Sequence, residues 1–270
     1  MTRANRRAVR DLIAVAAVSS VVFFVAYVII GNTDSQRRRV QPSVIAERIR
    51  NVAEAGIRGN SLIVEDPFVA AQVELILSAI SGTMQTPRRI TVLIVRSPMV
   101  NAATLPGGLI VVYAGLVRKL ESADEFAAVL AHELGHVANR DPMRQILRSL
   151  GLSAVAVLLG GNQAEILIER LTREAITLTY AKKYESRADD FALDAIEEAG
   201  LDPGLFAEAL RNIAEADESG SSALGRYLDP HETIDERVAK SLARRANFDY
   251  VSLGIDWRTF KSRVSRSQAE

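Results

Sequence analysis

"AVLAHELGHVANRDP", residues 128–142, holds two of the chain's three histidines, His132 and His136, four apart with Glu133 between them. Residues i and i+4 share one helical face, so both imidazoles can reach a common centre while Glu133 sits beside them, displaced round the helix. Two imidazoles and a neighbouring carboxylate suit a tetrahedral zinc ion with a general base at hand. Chance would place HExxH in a chain of this length on the order of 1% of the time or less. The surrounding "FAAVLAHELGHVA" is apolar on every side, and two imidazoles buried without partners would each cost roughly a few kcal/mol of desolvation. A metal supplies that partner.

A catalytic zinc needs a third protein ligand. With only His231 left among the histidines, that ligand is either His231 or a carboxylate. "YAKKYESRADDFALDAI" offers Glu185 and Asp189, again four apart and able to face the HExxH helix together. Glu185 is the expected ligand. Asp189 is expected to accept the other ring N–H of a ligating histidine and so fix its tautomer.

The elements that must position these groups are mostly helical. Ser122 with Glu125 three residues on is a capping-box pattern that opens a helix running through His136 to about Asn139. "RITVLIVRS" (Arg89 to Ser97) reads as a buried strand, and "GLIVVYAG" (Gly108 to Gly115), after the turn signal Pro106-Gly107-Gly108, as a second. Upstream, "SVIAERIRNVAEAGIRG" and "PFVAAQVELILSAISG" show helical spacing. Downstream, Ile146 to Gly161 reads as a core helix, since its uncharged part is too short to span a bilayer. A long helix is expected over Thr172 to Ala199, ended by Gly200, with others near Pro203 to Ala214 and Thr233 to Ala246. Glu215 to Gly225 is the stretch expected to be mobile, and Trp257 and Phe260 are expected to pack the chain's end onto the domain.

Composition narrows the partners. Thirty-three basic and 33 acidic residues cancel, which argues against nucleic acid as a partner. The absence of cysteine excludes disulfides, iron–sulfur clusters, a thiol nucleophile and lipid anchors on Cys. Leu12 to Ile30 is an uncharged apolar run of 19 residues, about 28 Å as a helix and enough to cross a bilayer. No A-x-A-like cleavage site follows it, so an uncleaved anchor is preferred over a signal peptide. Four arginines before the span (Arg3, Arg6, Arg7, Arg10) and three after it (Arg37, Arg38, Arg39) tilt the orientation slightly toward an N-terminus inside. The remaining domain is then expected outside the cytoplasm, on the periplasmic side of a bacterial membrane.

The series "HELGH", "YESRAD" and "PHETIDER", preceded by "NAATLPGGLIVVYAGL", resembles the membrane-associated zinc metallopeptidases that include HtpX, BepA and the Ste-type CAAX prenyl protease. The likeness runs from about Asn101 to Arg245. It implies one Zn2+ per chain held by His132, His136 and Glu185, Glu133 as general base, and His231 with Arg237 as a late pair in which the histidine steadies the oxyanion. The proline that follows the late histidine in that family is Glu232 here, with Pro230 before the histidine instead. The likeness also implies that the strand from Gly108 through Leu109 to Tyr113 is an edge on which a peptide adds as another strand, with Asn101 holding substrate backbone.

The expected architecture is therefore α+β and mostly helical: a zincin-like metallopeptidase domain over 36–270 with a small sheet beside the HExxH helix, and an N-terminal transmembrane anchor over 1–35. The expected function is membrane-anchored, zinc-dependent endopeptidase action on polypeptides, unfolded or damaged ones by analogy with the family. A prenyl-protein protease would need a multi-span chamber. A chaperone or assembly factor with a non-catalytic zinc site is the alternative, and a retained Glu133 weighs against it.

Overall fold

The computed structural model describes residues 42–60, 63–82, 89–146, 148, 182–217, 233–245 and 249–266. The expected span at Leu12 to Ile30 lies outside them, as do residues 147 and 149–161 of the expected core helix, 172–181 of the long helix, 218–225 of the expected mobile stretch, His231, and residue 246 at the end of the last expected helix. Among the described residues no helix is long and apolar enough to cross a membrane.

Three strands form the sheet: β1 (Thr91–Val95), β2 (Ala102–Leu105) and β3 (Leu109–Tyr113), in the order β1-β3-β2. β1 runs parallel to β3, pairing Thr91 with Leu109 through Val95 with Tyr113. β2 runs antiparallel to it, pairing Ala102 with Val112 and Thr104 with Ile110. This corrects the expected edge. β3 is central, with a strand on either side, so Gly108 and Leu109 do not offer an open ladder to a peptide. Leu109 is fully buried between Thr91 and Leu105. Gly108 serves the turn instead: its φ is 78°, and a Cβ there would lie 2.5 Å from the Arg89 carbonyl oxygen. β1 and β2 are the two edges among the described residues; the outer side of β1 is met by Ile63, which bridges to Val95, while that of β2 has no strand or bridge beside it. "AATL" carries none of the aromatic or alternating signal by which strands are read.

Helices surround the sheet. α1 (Pro42–Asn60) packs Ile45 and Ile49 against Met143 and Ile146. In α2 (Pro67–Ser81), Asp66 caps the N-terminus by accepting from the N–H groups of Phe68 and Val69, and Val69, Val73, Ile76 and Ile80 form the buried stripe. A short α3 (Ala114–Lys119) leads to α4 (Ala123–Ala138), whose residues from Phe126 to Val137 are all buried. Ser122 caps α4 by accepting from the Glu125 N–H, but the reciprocal half of the expected box is absent: the Glu125 carboxylate accepts from the Glu121 N–H and from Asn212 Nδ2.

α4 packs against β2, α2, α5 (Lys182–Glu198) and α6 (Gly204–Asp217). α5 ends in a Schellman turn: Gly200 at φ 73° donates to the Glu197 carbonyl, and Leu201 to that of Ile196. α7 (Ile234–Ala243) opens on a complete capping box between Thr233 and Glu236. α8 (Trp257–Ser265) seats Trp257 and Phe260 on Phe126, each with ring centroids 5.7 Å from it, and Trp257 Nε1 donates to the Leu120 carbonyl.

One close approach sets the geometry of everything that follows. α4 and α5 cross at Gly135, where a Cβ would stand 2.9 Å from both the Cα and the carbonyl oxygen of Ala188. The neighbours of these two small residues are His136 on one side and Asp189 on the other. Gly135→Ala should push the helices apart and destabilise the protein by about 1–3 kcal/mol or more. A lowered urea midpoint, with zinc binding weakened in parallel, is the expected readout.

Candidate metal centre

Three helices bring the candidate residues together. His132, Glu133 and His136 come from α4, Glu185 and Asp189 from the first turns of α5, and Arg237 from α7; all six are at most 2% exposed. His132, His136 and Glu185 each offer a ligand atom, and those atoms lie within 4.8 Å of one another. The Nε2 atoms stand 3.5 Å (His132) and 3.4 Å (His136) from the two oxygens of Glu185.

The outer ring nitrogens are committed elsewhere. His132 Nδ1 lies 2.9 Å from Asp189 Oδ1, and His136 Nδ1 lies 3.1 Å from Asp141 Oδ2. Each carboxylate is ionically anchored in turn. Arg237 grips Asp189 with two 2.7 Å bonds, from Nε and from a terminal nitrogen, and reaches to 3.7 Å from Glu185. Arg187 donates to Asp141 Oδ1 at 2.7 Å. A carboxylate accepting at Nδ1 fixes the tautomer with the proton there, so each Nε2 turns a lone pair inward.

Inward-facing lone pairs opposite carboxylate oxygens repel unless a cation lies between them. Neither oxygen of Glu185 accepts a hydrogen bond from a described residue despite its burial. The observed 3.4 and 3.5 Å separations approximate the edge of a tetrahedron with zinc–ligand bonds of about 2.0–2.1 Å. The donor set, two imidazoles and a carboxylate with outer partners on both imidazoles, fits zinc.

The electrostatics of the protein groups point the same way. Burial opposes charge on His132, yet the Asp189 and Glu185 carboxylates beside it more than offset it and raise its pKa to about 9. His136 is raised by Asp141 and Glu185 against the same burial and against the charge of His132. Burial would raise Glu185, but the two histidines hold it well below the ordinary carboxylate range. Asp189 is likewise lowered, by Arg237 first and His132 next, against burial. The pocket is thus built for positive charge at its centre. A metal that enters must displace protons from the histidines.

Glu133 lies outside the three-donor group. It is fully buried, and its Oε2 accepts from the Thr104 hydroxyl of β2 at 2.5 Å. Asn101, expected to touch substrate, is fully buried just before β2, where its carbonyl accepts from the Tyr113 N–H.

Asp141 and Arg187 were not foreseen in these positions. Arg140, at φ 55°, takes the left-handed conformation that usually falls to glycine at a helix C-terminus. That bend carries the Asp141 carboxylate back to His136 Nδ1. The sequence offers only a weak signal, an acidic residue five positions beyond the second histidine. Asp141→Ala should weaken zinc binding about 10- to 100-fold without removing a ligand, as measured by competition with a chromogenic chelator.

A helix bearing two histidines one turn apart, a glutamate between them, and a third donor from a second helix is the layout of the HExxH metallopeptidases, on the mostly helical, three-stranded scaffold of a zincin-like domain. A model of Peptidase family M48 matches residues 67–245, and the chain belongs to that family. Among its relatives is the Mitochondrial metalloendopeptidase OMA1 of Arabidopsis thaliana, 32% identical over 153 residues, covering 57% of this chain and 31% of the relative. Metalloprotease LoiP of Escherichia coli is 28% identical over 145 residues, 52% of this chain and 56% of the relative. The Putative beta-barrel assembly-enhancing protease of Vibrio cholerae is 24% identical over 225 residues, 77% and 46% respectively. The chain thus spans between 31% and 56% of the length of these relatives.

Proposed function

We propose that the protein is a zinc-dependent endopeptidase of polypeptides, anchored by Leu12 to Ile30 (within a 1–35 anchor segment), with residues 36–270 forming the peptidase domain outside the cytoplasm. The observation that carries the reading is the convergence of His132 Nε2, His136 Nε2 and the Glu185 carboxylate in a buried pocket with Glu133 alongside. His132, His136 and Glu185 would hold one Zn2+, which when bound supplies Lewis acidity toward water and the peptide carbonyl.

The chain's own groups do the rest. Glu133 takes a proton from the attacking water and passes it to the leaving amine nitrogen as the C–N bond breaks. Asp189 and Asp141 keep both ligating imidazoles in one tautomer, and the Arg237 clamp from α7 holds the Asp189 carboxylate in place. His231, outside the described residues, is assigned to the developing oxyanion. An extended substrate would pair along β2, whose far side has no strand partner among the described residues. Such pairing reads main chain more than side chains, which suits unfolded or damaged proteins and a role in protein quality control.

The full chain purified in detergent should contain one zinc and cleave casein. A strong chelator should abolish cleavage and added zinc restore it. Cleavage that persists in the zinc-stripped protein would overturn the reading. For topology, alkaline phosphatase fused after Glu270 should be active in the periplasm, and an inactive fusion would reverse the orientation.

A further inference from the structure

We propose that the Thr104 hydroxyl is the positioning group for the base Glu133, an inference that rests on the peptidase reading. Thr104 is fully buried on β2 among Ala102, Ala103 and Leu105, and it carries the strand's only polar side chain. Its Oγ1 lies 2.5 Å from Glu133 Oε2 and 3.1 Å from the Glu133 carbonyl oxygen. A hydroxyl has one proton to give. The shorter contact falls in the about 2.5–2.7 Å range of O–H donation to a carboxylate, so Oε2 receives it.

A valine would fill the same volume without the cost of burying a hydroxyl, so packing alone does not account for threonine at this position. Rigidity does. Thr104 is β-branched and therefore restricted at χ1, and its backbone is held opposite Ile110 by pairing with β3. Glu133 has three side-chain torsions and stands one residue round the helix from the face that carries the histidines. Left to itself, such a side chain would divide its time among rotamers. The fixed donor on the strand selects one of them. The same bond ties β2 to α4 at the base itself, so that strand and proton acceptor keep one separation through the reaction.

This bond is distinct from the contacts that orient the metal-facing groups, which run from His132 to Asp189 and from His136 to Asp141. Removing it should therefore misplace the base and leave the metal alone. Thr104→Val, the same shape without the hydroxyl, is expected to lower kcat about 10- to 100-fold with KM unchanged and zinc content and zinc affinity equal to wild type. Thr104→Ser, which restores the hydroxyl, should return kcat close to wild type. A purely structural role would not produce that split or that rescue. If Thr104→Val does not fold, Thr104→Ala takes its place, being smaller and free of clash.

The outcomes separate the two claims. Full activity in Thr104→Val, beside an inactive Glu133→Gln, overturns the positioning role and leaves the peptidase reading standing. A rise in KM alone, loss of zinc in Thr104→Val, or failure of Thr104→Ser to recover kcat also overturns it. Equal casein cleavage by wild type and Glu133→Gln overturns the peptidase reading, and the inference falls with it.

Discussion

Replacing Glu133 with glutamine is expected to leave the protein folded and zinc-loaded while lowering kcat for peptide hydrolysis about 10²–10⁴-fold, the range a general base contributes. The substitution keeps the side chain's length and volume, so the α4 packing around it is retained. It also keeps an acceptor for the Thr104 hydroxyl, because an amide oxygen can stand where Oε2 stands. What it removes is the capacity to take a proton from water. Glu133 is not among the three converging donors, so zinc stoichiometry should be unaffected, and metal analysis beside a casein or fluorogenic-peptide assay reads both quantities on one preparation. Equal cleavage by the two proteins would remove Glu133 from the chemistry. Joint loss of zinc and activity would instead make it a ligand.

The sequence makes the metal-facing residues legible because their signal is local and periodic. His132 with His136, and Glu185 with Asp189, are each one helical turn apart, so once both segments are read as helices each pair shares a face. The structure brings all four together at the α4–α5 crossing. Contacts that depend on long-range pairing or on a single backbone torsion leave no such trace. Thr104 meets Glu133 across 29 residues, through a strand whose composition gives no period. Asp141 reaches His136 only because Arg140 enters the left-handed region.

Strand order is a second example. Leu109 to Tyr113 is the most apolar strand, and its apolarity marks the middle of a sheet buried on both sides as readily as an edge. Only the pairing with β1 and β2 separates the two cases. The α4 N-terminus shows the same limit at smaller scale: Ser122 caps the helix as its type predicts, while Glu125 is drawn away to Asn212, 87 residues distant.

Glu185 and Asp189 are chemically alike and one turn apart on α5, yet their removal is expected to produce different losses. Glu185→Ala takes away the only anionic ligand, leaving two neutral nitrogens to hold a divalent cation in a buried pocket. Zinc affinity should fall well beyond the about 10- to 100-fold that follows loss of an outer partner, and the thermal stabilisation that zinc gives the folded state should vanish with it. Asp189→Ala leaves all three ligands in place but takes from Arg237, 2% exposed, the carboxylate to which it is doubly bonded. Its main cost is to folding, about 3–5 kcal/mol for breaking a buried, doubly bonded ion pair, with zinc binding weakened but retained. Zinc titration and urea denaturation of the two variants therefore give crossed results: Glu185→Ala fails the first and Asp189→Ala the second. If Asp189→Ala loses zinc outright while Glu185→Ala keeps it, the ligand and the supporting carboxylate exchange places. His132 would then turn its Nδ1 rather than its Nε2 to the metal, since Nδ1 is the nitrogen that faces Asp189.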